Sequence, residues 1–75
     1  MQTRNKKEIE MKLYVWDDVL RDWTSGMMFA VAESPEQARE ILLKNCDYLP
    51  QEDLAKTPQE YDLTDPVAFW VWGGG

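Results

Sequence analysis

Pro66-Val67-Ala68-Phe69-Trp70-Val71-Trp72-Gly73-Gly74-Gly75 is the stretch whose reading decides how the rest of the chain is arranged. It is β-branched and aromatic, opens with Pro and ends in Gly, which predicts a strand. Strand side chains alternate, so Val67, Phe69 and Val71 point one way and Ala68, Trp70 and Trp72 the other. Both sets are apolar, as in a strand covered on both sides. A chain of 75 residues has few elements with which to cover two sides.

Working outward from that strand, Asp65-Pro66 breaks the chain before it, and Glu60 to Thr64 (EYDLT) alternates as a further strand. Cys46 to Thr57 is a connector. Within it, Pro50 to Lys56 has Pro and acids at its front and suits a helical turn or two, stopped by Pro58. Glu33-Ser34-Pro35-Glu36-Gln37 is a helix start: Ser34 as N-cap, Pro35 at the first helical position, Gln37 completing a capping box. Glu36 sits by the positive end of the helix dipole. The helix is expected from Pro35 to about Asn45, with Ala38, Ile41, Leu42 and Asn45 or Cys46 as its apolar stripe. Glu36, Arg39, Glu40 and Lys44 point largely outward.

Before the helix, Met11 to Trp16 (MKLYVW) and Met27 to Ala32 (MMFAVA) are expected strands, the second introduced by Gly26. Asp17-Asp18 signals a turn. Val19 to Ser25 is expected to be an ordered loop, with Trp23 packed over one end of the sheet. The element order is ββαββ: an α+β domain with a mainly antiparallel four-stranded sheet and one helix on one face, spanning residues 11–75. Residues 1–10 (MQTRNKKEIE) form a flexible arm or a translated leader. Lys6 to Met11 can be encoded as AAA AAG GAG ATA GAA ATG, which places a purine-rich ribosome-binding sequence before an ATG. On that hypothesis Met11 is the natural start, leaving five basic and twelve acidic residues, a net of −7.

Composition narrows the function. The whole chain carries 14 acidic and 8 basic residues, net −6, a balance that repels nucleic acid and either draws the chain to basic protein surfaces or serves solubility alone. There is no His, which removes the commonest general base and metal ligand. One Cys, Cys46, cannot form an internal disulfide. No membrane span or signal peptide stands out, and a cytoplasmic protein is expected. No Gly-rich phosphate loop follows a strand. Asp17, Asp18 and Asp22 lack a further spaced carboxylate and read as a solvated acidic turn, so neither a metal nor a cofactor is expected. The chain is not expected to be an enzyme.

Sorting strand residues by face gives two sets. Leu13, Val15, Phe29, Val31, Phe69 and Val71 suit the helix; Tyr14, Trp16, Met28, Ala30, Trp70 and Trp72 form the opposite face. A bulge would shift this assignment. Each Trp or Tyr buries about 150–250 Å², so the four rings leave roughly 300–500 Å² of apolar surface even when half exposed. Three covers are open: the connector, the Trp23 loop or the arm; a second copy of the chain; or another protein.

Two resemblances bear on these alternatives. A short ββα-containing chain ending in Gly-Gly resembles the β-grasp carriers and modifiers, the ubiquitin-like and sulfur-carrier group. That resemblance implies a C-terminal glycine activated by an adenylating enzyme, with Gly74 and Gly75 at the carried positions. The acidic balance, the abrupt MKLYVW start and the ββαββ order resemble the small accessory proteins of phages and prophages, anti-CRISPR inhibitors among them. That likeness implies an inhibitor that occupies a basic, nucleic-acid-binding surface of a host defence protein. Asp17, Asp18, Asp22, Glu33, Glu36 and Glu40 would then meet its Lys and Arg, while Tyr14, Trp16, Met28, Trp70 and Trp72 anchor the partner or form a homodimer. The expectation is a non-catalytic, acidic protein-binding module, with the carrier as the alternative.

Overall fold

The computed structural model of the chain describes residues 10–21 and 26–71. The arm up to residue 9, Asp22, Trp23, Trp72 and the terminal glycines, Gly74 and Gly75 included, lie outside the described residues. The architecture is α+β. Strands β1 (Lys12–Val19), β2 (Gly26–Ala32) and β3 (Gln59–Asp62) form one antiparallel sheet in the order β2-β1-β3. Helix α1 (Pro35–Asn45) and the single-turn α2 (Gln51–Leu54) connect β2 to β3. The sheet therefore has three strands where four were expected.

The missing strand is the Trp-rich one. Residues 66–71 pair with no strand among the described residues. Two features redirect this segment. A turn closed by the Asp65 N–H donating to the Asp62 carbonyl at 3.1 Å ends β3 early, and Pro66 follows without a backbone donor. Instead of extending the sheet, the chain turns back against its edge strand: the Phe69 ring lies 5.0 Å from that of Tyr61, tilted by 58°. Strand propensity is present in this segment, but no ladder partner is.

Asp17-Asp18, expected as a turn, lies inside β1. Asp17 pairs with Met27 and Val19 with Gly26, so Asp18 is an extra, bulged residue with φ 56°. Asp tolerates that left-handed conformation better than most residues. The bulge resets the alternation, and Val19 joins Tyr14 and Trp16 in the core.

Helix α1 starts as its sequence predicts. The Ser34 hydroxyl accepts from the Gln37 N–H at 3.1 Å, Pro35 occupies the first turn, and the Gln37 side chain accepts from the Glu33 N–H at 2.9 Å. The reciprocal bond thus lands one residue earlier than in a standard capping box. The helix stops at Cys46, whose N–H donates to the Leu42 carbonyl at 2.9 Å.

Candidate interaction surface

The register places Lys12, Tyr14, Trp16, Met28, Ala30 and Ala32 on one side of the sheet and Leu13, Val15, Phe29, Val31 and Tyr61 on the other. The helix lies on the first side. Tyr14, Trp16, Val19, Met28, Ala30 and Ala32 make one core cluster with Ala38 of α1 and Leu54 of α2. This reverses the expected assignment: Tyr14, Trp16 and Met28, expected on an exposed docking face, are buried. The reason is depth. Ala30 and Ala32 form a shallow bed in which Ala38 lets the helix approach closely, and Phe29 and Val31 would hold it off.

The connector completes this cover. Trp16 is 1% exposed, and its indole N–H donates to the Lys56 carbonyl at 2.8 Å. Arg39, expected to point outward, instead turns across the layer. Its guanidinium donates to the Leu54 carbonyl at 2.6 Å and the Lys56 carbonyl at 3.2 Å, and lies 5.7 Å from the Trp16 ring. The Asp53 carboxylate accepts from the Leu20 N–H at 3.0 Å, and the Lys56 ammonium reaches the Asp18 carbonyl at 3.3 Å. One long helix and one short turn thus share the work of closing the Tyr14–Trp16 side.

The other side is open in part: Val15 is buried there and Leu13 half-buried, but the β2 residues beside them are not. Phe29 is 61% exposed, and Val31 and Met11 are exposed with it. Along its margin runs the terminal segment, held by Phe69 on Tyr61, with Val67 and Val71 outward and Trp70 74% exposed. Of the aromatic residues expected at a docking face, Trp70 alone is described and exposed. Phe29, Val31 and Met11 were missed as surface residues. The signal that finds them is side-chain size, since small residues on β2 match the small residue on α1.

The carboxylates do not converge. Asp17 and Asp18 are exposed at one end of β1, Asp18 paired with Arg21. Glu33 follows the other end of β2, and Glu36 and Glu40 stand one turn apart on the outside of α1. Of the carboxylates within the strands, alternation places Asp17 on the open side. Lys12 pairs with Glu60 at 3.0 Å, and that hydrogen-bonded carboxylate raises the Lys12 pKa above its usual value. No cluster of three or more potential metal ligands occurs among the described residues. Nor is any helix among them long and apolar enough to cross a membrane.

Comparison with protein-family models, with curated proteins and with solved structures finds no match to this chain.

Proposed function

We propose that the chain is a non-catalytic protein-binding module, acting in the cytoplasm, that docks through the open side of its sheet and turns an acidic surface toward basic groups of a target. Inhibitors of the phage type, which occupy a nucleic-acid-binding surface of a host defence protein, work on this principle. One observation carries the reading: Met11, Phe29 and Val31 leave apolar side chains exposed opposite the helix, and Phe69 and Trp70 of the terminal segment are exposed as well. Phe29 and Trp70 contribute roughly 250 Å² at their exposures, and the other three bring the total to about 400 Å², within the range of the largest patches on monomers. Such patches mark interaction sites more often than they persist bare in water. The carrier alternative depends on Gly74 and Gly75, and no described feature favours it.

A photo-crosslinking amino acid at position 29 tests this. Irradiated in the producing cell, it is expected to give discrete protein adducts, while the same group at Glu40 on the outside of α1 gives a different set. Position 29 yielding no protein adduct would sink the reading.

A further inference from the structure

The charge map divides the surface, and that division identifies the occupant of the open side. We infer that a second copy of this chain covers it, two sheets stacking back to back with both helices outward. The inference rests on the reading that this side docks a protein. Between Met11 and Val31 the open side carries exposed Phe29 with half-buried Leu13 and Met27 around the already buried Val15, and among the described residues of β1 and β2 the one charged side chain that alternation places there is Asp17. A basic partner would find almost nothing there to pair with. A neutral, self-complementary surface suits an isologous contact, in which the same patch serves both subunits.

Area and repulsion agree with this. A standard interface takes about 800 Å² from each partner, a little over half of it apolar. The roughly 400 Å² counted above, from the open side and the terminal segment together, supplies nearly all of that apolar share. Each chain carries a net −6, so a second copy is tolerated only where the charges stay apart. Stacked sheets lie about 10 Å apart, and a helix layer outside each holds Glu36 and Glu40 of the two copies still farther from one another. The dimer would then be an apolar sandwich with an acidic exterior, presenting the Glu33, Glu36 and Glu40 edge twice to basic targets.

Sedimentation of the full chain reads this directly. The wild type is expected at twice the 8.8 kDa monomer mass, with association unchanged or strengthened by added salt, since salt screens like charges. Phe29→Glu and, separately, Val31→Glu are expected to run at 8.8 kDa with an unchanged circular-dichroism spectrum, because both side chains already face out. Glu40→Gln is expected to leave the dimer intact. A wild type that stays monomeric across the accessible concentrations overturns the inference, as does a dimer that survives both Glu substitutions. A monomer that still gives adducts to another protein from position 29 would refute the second copy and leave the docking reading standing.

Discussion

Trp16 and Lys56 are 40 residues apart, and the indole N–H of one donates to the main-chain carbonyl of the other at 2.8 Å. The same carbonyl accepts from Arg39, so one oxygen joins the central strand, the main helix and the loop after α2. A buried indole needs a partner for its N–H, and this one is supplied by a connector with no regular structure at that point. The bond therefore explains why the connector lies against the sheet.

Trp16→Phe is expected to lower stability by about 2–3 kcal/mol. Roughly 1 kcal/mol comes from the lost hydrogen bond and the remainder from the space left by the smaller ring. For a chain of this size that is a large part of about 4–11 kcal/mol in all. Arg39→Met, which keeps an apolar stem, is expected to cost about 1–2 kcal/mol. Urea unfolding of each variant measures both, and a Trp16→Phe variant as stable as the wild type would contradict the role given to this bond.

Adjacent residues of β2 should respond in opposite ways. Met28 is buried under the helix and Phe29 is exposed on the open side. Met28→Ser is expected to cost about 3 kcal/mol, whereas Phe29→Ser should stay within about 1 kcal/mol when measured on the monomer. Thermal unfolding at low protein concentration separates the two. Equal losses would mean that the open side is covered within the chain.

What could be read in the sequence follows how local each cause is. The start of α1 is written in Ser34, Pro35 and Gln37, neighbours that settle one another's geometry, and the helix begins there. The strand character of 67–71 is local as well, but a ladder needs a partner from elsewhere, and the Asp62–Asp65 turn leads the chain onto Tyr61 instead. Asp17-Asp18 has the composition of a turn, and only the pairing of Val19 with Gly26 makes it a bulge. The side of the sheet that meets the helix is not written in the rings, since amphipathic Tyr and Trp suit a surface and a core alike. The deciding feature was the pair of alanines beside them, Ala30 and Ala32, facing Ala38.

Tyr14 makes the fold sensitive to alkali. Burial raises its pKa above the usual value of 10.0, with the Glu60 carboxylate adding to the effect. The folded state thus holds the phenolic proton more tightly than the unfolded chain does. Its contribution is complete below about pH 10 and is lost as pH rises from there toward the higher folded-state value. Tyr14→Phe should remove this component of the alkaline decline. Its cost at neutral pH should be small, because the hydroxyl reaches the Glu33 carbonyl only at 3.4 Å. Identical alkaline unfolding curves for the variant and the wild type would rule this out.

The bulge end of β1 depends on Gly26. A Cβ there would lie 3.1 Å from the Val19 carbonyl oxygen and 3.3 Å from the Leu20 Cβ. Neither neighbour is free to retreat. Val19 is fully buried in the core, and Leu20 holds a left-handed backbone with φ 55°, its N–H donated to the Asp53 carboxylate at 3.0 Å. A branched apolar residue adopts that conformation only when its surroundings impose it, at a cost of order 1 kcal/mol. Gly26→Ala is therefore expected to destabilise by about 1–2 kcal/mol, although alanine is the better residue for an unconstrained backbone. Asp53→Ala removes the acceptor that holds Leu20 and is expected to cost a similar amount. The double variant should lose less than the two single losses combined, because a released Leu20 can move away from the new methyl group. Full additivity in urea unfolding would show that the two sites are uncoupled and that the strained turn is held by something other than Asp53.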